Sequence, residues 1–225
     1  MQFFQRIGWI FVSPSRVFDD IREGRVSWWQ PWIVVSVVYL AVGYFSLPVQ
    51  RTLVALNPKN IDPDLIDKQI DMMNRFGLIQ VLSTPLLMLL VGGIVAGIAY
   101  ALVTILANES SFRKFFALTW YASIVASVAQ VISVAAVRAR GLDAIESVSD
   151  TSVSASLKFL ASGPGILQSL LSTVELFAIW SLVLVGMGLM RIFGLSRGQA
   201  IAAVIPWVVL YVAITLLGQM LGAAG

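Results

Sequence analysis

Neither cysteine nor histidine occurs anywhere in the 225 residues. Their joint absence removes disulfides, thiolate nucleophiles, imidazole bases and the usual nitrogen and sulfur ligands of zinc or copper in one step. Charge is scarce as well. Asp, Glu, Lys and Arg make up 12% of the chain and hydrophobic residues 58%, about half the charged share of a soluble domain, so water cannot be the main solvent for this surface. Glycine-rich phosphate loops, a His-Glu-x-x-His helix and paired aspartates within an apolar run are also missing. No enzymatic activity, cofactor or metal is therefore expected. The net charge of +3 is dispersed singly among connections rather than massed on one face, which argues against a nucleic-acid partner. Positive-inside anchoring explains it better.

What the sequence does have is long apolar runs, at about 29–47, 81–106, 115–137, 167–190 and 200–221. Each reaches the roughly 20 residues that a hydrocarbon core of about 30 Å demands of a helix. None alternates with period two, and backbone groups in lipid must be satisfied within the segment, so helices are preferred to a barrel. The reading is all-α: one domain over 1–225, a polytopic membrane bundle of five transmembrane helices with short interfacial amphipathic helices. Arg6 interrupts the apolar N-terminus and no small-residue cleavage site follows, so the first span is expected to act as an uncleaved insertion signal.

Residues 1–28 read as interfacial. Phe3, Phe4, Ile7, Trp9, Ile10 and Phe11 surround Arg6, a composition suited to lying in the membrane surface and contacting lipid. Ser13-Pro14 then starts a short amphipathic helix, with serine as cap and proline at the first helical position, and Gly24 ends it. Between the first two spans, Leu65, Ile66, Ile70, Met73 and Phe76 predict an interfacial helix that closes at Gly77 and feeds the second span. The stretch from Arg138 to Pro164 is the least patterned and is expected to be the most mobile.

With the N-terminus inside, eight basic residues fall on the inner side and seven on the outer. The two shortest connections, carrying Arg113-Lys114 and Arg191 with Arg197, share the inner face, and short loops weigh most. This favours a cytoplasmic N-terminus and an outer C-terminus in an inner (plasma) membrane.

Three stretches resemble the Yip domain family, named for Ypt/Rab-interacting proteins, in its bacterial-type form. They are Phe11-Val12-Ser13-Pro14-Ser15-Arg16-Val17-Phe18, then Phe112-Arg113-Lys114-Phe115-Phe116 with Trp120-Tyr121-Ala122-Ser123, and Trp180-Ser181-Leu182 through Gly186-Met187-Gly188-Leu189 to Leu195-Ser196-Arg197-Gly198-Gln199-Ala200. Departures occur at Ser110-Ser111 and Ile124-Val125-Ala126, where family members often carry glycine and proline. The resemblance implies five spans and a cytoplasmic N-terminus. In eukaryotic members it also implies Rab binding, which the short N-terminal region here is not expected to support.

Glu175 is the only acidic residue inside an expected span, where a charge costs roughly 2.5–3.5 kcal/mol at mid-helix. Gln168, Ser172, Glu175 and Gly186 recur on one helical face, which reads as that helix's packing face. In the third span Thr119, Ser123, Ser127 and Gln130 make a second polar stripe, and Tyr211 and Thr215 reach a similar depth. The candidate intramembrane polar cluster is thus Glu175, Gln130, Ser172, Tyr211 and Thr215. Gly92, Gly93, Ala96, Gly97 and Tyr100 offer a small-residue packing stripe, and Pro85 and Pro206 predict kinks. The functional expectation is a membrane-organising scaffold whose partners are membrane lipids, other membrane proteins or further copies of itself. An oligomeric transporter or channel subunit using the Glu175 cluster is the alternative.

Overall fold

The computed structural model describes residues 2–56, 63–107, 111–142, 145, 176–205 and 208–209, and every regular element among them is helical. In chain order these are α1 (Gln2–Val12), α2 (Pro14–Arg22), α3 (Trp29–Ala55), α4 (Pro63–Leu106), α5 (Phe112–Arg140) and α6 (Leu176–Phe193). A further helical stretch covers 197–205. Four helices are long and apolar enough to cross a membrane: α3, α4 over Ile66–Leu106, α5 and α6. They correspond to the first four expected spans. The fifth, expected at 200–221, is described only over 200–205 and 208–209.

Local sequence explains α2 well. Pro14 occupies its first turn and Gly24 follows it at φ +74°, where the Gly24 N–H donates to Ile21 O and the Arg25 N–H to Asp20 O, at 3.1 and 2.9 Å. That pair of bonds is a Schellman stop, and the left-handed position suits glycine. Ser13 behaves differently from the expected cap. Its side chain makes no capping bond; instead its backbone N–H donates to Trp9 O at 2.7 Å and closes α1.

The expected interfacial helix does feed the second span, but it does not close at Gly77. α4 runs unbroken for 44 residues, through Gly77 and Pro85, or about 66 Å at 1.5 Å per residue. Gly77 is instead a packing residue, because a Cβ there would lie 3.0 Å from Leu47 Cδ2 of α3. One turn along, Gly43 of α3 receives Val81 of α4, at 3.2 Å from its own would-be Cβ. The two antiparallel helices therefore exchange glycines and bulky residues across a close seam. α3 also overruns its expected end, passing Pro48 to reach Ala55.

α5 is the hub. It packs against α3, α4, α6 and both N-terminal helices, and its Phe115, Leu118, Tyr121 and Val125 are at most 1% exposed. Near its far end Val137 joins Val49, Ile145, Leu53 and Leu142 in a second small apolar cluster. On α4, Ala96, Ala99 and Val103 face inward while Leu82, Leu86, Leu90, Ile94 and Ile98 point outward. That outward stripe, repeating every four residues, is what a lipid-facing helix side requires.

Candidate functional site

The N-terminal helices are built onto one end of the bundle rather than lying loose beside it. α2 turns Val17, Phe18 and Ile21 inward, all at most 1% exposed, the one-sided pattern of a short amphipathic helix. α1 contributes Ile10, fully buried, and the partly buried Ile7 and Trp9 to the same core. Its other side stays open: Phe4 is 76% and Val12 81% exposed, and Phe11 is exposed as well. Of the six residues expected to contact lipid, Phe4 and Phe11 are thus outward-facing, Phe3, Ile7 and Trp9 are half-buried, and Ile10 is a core residue.

Arg6, which looks like an interfacial cation in the sequence, is 4% exposed. Its Nε donates to Asp20 Oδ2 at 2.7 Å, and Arg25 Nη2 reaches Asp20 Oδ1 at 2.8 Å. Asp20 therefore ties α1 to α2 and to the turn that follows. Asp19, on the neighbouring position, accepts two hydrogen bonds from Arg191 of α6, from Nε at 2.7 Å and Nη2 at 3.0 Å. This bidentate bond, reinforced by the charges of Arg191, Arg22 and Arg25, holds the Asp19 carboxyl below its ordinary range. Arg16 lies over the Trp9 ring at 5.6 Å, a cation–π contact between the two helices.

Beneath this cap, Trp28 of the α2–α3 turn stacks obliquely on Phe116 of α5 at 5.3 Å, and Phe116 meets Trp120 edge-on at 5.8 Å. Trp32 Nε1, Ser36 Oγ, Trp120 Nε1 and Tyr121 Oη are buried without a hydrogen-bond partner among the described residues.

The polar-cluster residues fare unequally. Gln130 is an exposed residue of α5, while Glu175, Ser172, Tyr211 and Thr215 lie outside the described residues. Along α5 the Thr119, Ser123 and Ser127 hydroxyls donate to carbonyls of their own helix, those of Phe116, Thr119 and Ile124. Ser181 of α6 reaches across to Ala122 O at 3.1 Å, beside a cavity of about 330 Å³ lined by Thr119, Ser123, Ser181 and apolar neighbours. On α6 the glycine that meets α5 is Gly188. Among the described residues nothing comes within 4 Å of a Cβ on Gly186, whereas one on Gly188 would collide with the Leu118 side chain of α5. The face of α6 with Leu184, Val185, Gly188, Leu189 and Ile192 is buried, while Gly186 lines the groove between α6 and the 197–205 stretch. On α4 the close contact is likewise Gly92 against Trp120 at 3.4 Å, while Gly93 and Gly97 have open space.

A basic end also emerges. Arg22, Lys114 and Arg191 line one concavity of about 540 Å³ with Met190, Ile192, Phe193 and Gly194. Sequence reasoning assigned these cations separately to one membrane side. Their convergence depends on α2 docking between the start of α5 and the end of α6, which no local pattern announces. Among the described residues no group of three His, Cys, Asp or Glu gathers that could hold a metal ion.

Four helices of crossing length, with outward apolar stripes and a helical cap at one end, define a multi-pass helical membrane protein. Residues 9–217 match the Yip1 domain, and the chain belongs to that family. It is similar to a Bacillus subtilis (strain 168) protein called membrane protein YknW, at 24% identity over 96% of this chain and 91% of that one. No solved structure matches it.

Proposed function

We propose that the protein is a non-enzymatic scaffold that organises an inner (plasma) membrane by binding partner membrane proteins or lipids, with five spans, a cytoplasmic N-terminus and an outer C-terminus. The observation that carries this reading is the docked N-terminal cap. α1 is fixed to the bundle through Arg6–Asp20 and Asp19–Arg191, yet it keeps Phe4, Phe11 and Val12 pointing away from it. A helix that is anchored on one side and apolar on the other presents a lipid- or partner-binding surface at a set height. The grouping of Arg22, Lys114 and Arg191 at the same end supports the cytoplasmic placement of that cap. Family membership and the name of the Bacillus relative support a membrane role and leave catalysis without a feature to rest on.

Replacing Phe4, Phe11 and Val12 together with serine tests the cap. The expected result is loss of partner pull-down and of any change in bilayer shape, with the fold intact. Unchanged pull-down and morphology would remove the scaffold reading. We assign the cluster of Glu175, Gln130, Ser172, Tyr211 and Thr215 to helix–helix packing, with Glu175 neutral or hydrogen-bonded. Glu175→Gln is then expected to alter stability and no solute flux; a proton or solute flux in reconstituted vesicles that this substitution abolishes would establish the transport alternative instead.

A further inference from the structure

We propose that the concavity between α2, α5 and α6 binds the phosphate of an anionic phospholipid, with one acyl chain lying in the apolar groove beside it. The site rests on the membrane reading above but is separable from the scaffold role, because it uses none of the outward residues of α1.

The charge count points to an anion. Arg22, Lys114 and Arg191 line the concavity, and one nearby carboxylate, Asp19, already takes the Nε and Nη2 of Arg191. Arg22 and Lys114 form no ion pair among the described residues, and Arg191 keeps its Nη1 hydrogens. Three like charges around one hollow repel each other, and an anion seated among them removes that cost. The Asp19 bond also holds the Arg191 guanidinium in one orientation, so little side-chain freedom is lost when it donates to phosphate oxygens.

The depth of the site selects a lipid over a free phosphate. Lys114 opens α5 two residues after Phe112, Arg191 stands two residues before the end of α6, and Arg22 is the last residue of α2. Helix ends of crossing length are where headgroups lie. Met190 lines the basic concavity and also an adjoining groove of about 480 Å³ between α6 and the 197–205 stretch. That groove is walled by Met187, Ile201, Ile205 and similar side chains, with Arg197 among them. The two hollows share Met190 as a wall, so a headgroup at the cations has an apolar groove next to it for an acyl chain, which inorganic phosphate could not use.

The experiment is native mass spectrometry of the full-length protein from nanodiscs of mixed phosphatidylglycerol and phosphatidylcholine, counting retained lipid. The parent is expected to keep phosphatidylglycerol selectively. At roughly fivefold per lost cation near a membrane surface, Arg22→Gln with Lys114→Gln should cut that selectivity about thirtyfold. Arg138→Gln with Arg140→Gln, the same charge loss at the far end of α5, should leave it unchanged. Equal loss in both double variants would reduce the effect to general surface charge and overturn the site. Retention unaffected by Arg22→Gln with Lys114→Gln would overturn it too, as would full displacement of the lipid by millimolar inorganic phosphate. Thermal melts of each variant in pure phosphatidylcholine identify a folding defect, and the partner pull-down of the α1 serine variant reports the scaffold role independently.

Discussion

Gly188→Ala tests the α5–α6 seam, and Gly186→Ala is its internal control. A Cβ at Gly188 would sit 2.8 Å from Leu118 Cδ2 and 3.0 Å from Cγ, and would collide with Cδ1. Ordinary carbon contacts are about 3.5–4.0 Å, so Leu118 must move by roughly 0.5–1 Å or more. It has nowhere to go, being 0% exposed. Overpacking of this kind costs about 1–3 kcal/mol. Alanine in place of a mid-helix glycine returns about 0.8–1 kcal/mol of helix propensity, leaving Gly188→Ala less stable by about 0–2 kcal/mol. At Gly186 no described residue lies within 4 Å, so the propensity gain is what applies. The difference between the two variants cancels propensity and isolates the collision, at about 1–3 kcal/mol. Reversible unfolding in detergent micelles measures it. Leu118→Ala should cost stability alone yet relieve Gly188→Ala, giving an interaction term of about 0.5–3 kcal/mol in the double-mutant cycle. Equal stability of Gly188→Ala and Gly186→Ala, or strict additivity with Leu118→Ala, would refute the packing argument.

Removing Asp20 takes the 2.7 Å partner from Arg6, whose side chain is only 5% exposed, and losing a hydrogen bond between charged groups costs roughly 1.5–3 kcal/mol. Asp20→Leu should therefore release α1, seen as faster hydrogen exchange over residues 2–12, and Arg6→Leu added to it should recover much of the protection. The Asp19–Arg191 clamp is exposed and should respond to pH and salt. Because its hydrogen bond to Arg191 depresses the folded carboxyl below the ordinary value of about 3.9, its contribution is complete above that value and is lost as pH falls through the depressed one. Exchange protection of α2 should accordingly be flat from pH 7 down to the ordinary carboxyl value of about 3.9 and fall as pH drops below it, with no such fall in Asp19→Asn.

How much of this was legible in the sequence depends on whether the deciding contact was local. The start and stop of α2 were readable because Pro14 and Gly24 act within their own turn. The crossing helices were readable because lipid imposes a length. Glycine inside a helix was not, since Gly77, Gly186 and Gly188 look alike along the chain. Leu47 and Leu118, on other helices, make Gly77 and Gly188 packing positions, while no described residue meets Gly186. A helix end was therefore expected at Gly77, and Gly188 was not singled out as the position that meets α5. Arg6 was ambiguous for the same reason. A lone cation among aromatics reads as interfacial until the Asp20 carboxylate is placed beside it. The basic concavity needed three elements brought together, and the Glu175 cluster falls outside the described residues apart from Gln130.

Native mass spectrometry of the protein taken from its own membrane in nanodiscs, reading co-isolated proteins and lipids together, tests the scaffold claim most directly. The account predicts a reproducible stoichiometric protein partner, or a defined lipid complement, that is lost when Phe4, Phe11 and Val12 become serine. A homo-oligomer holding a small solute, retained in that variant and lost in Glu175→Gln, would contradict it.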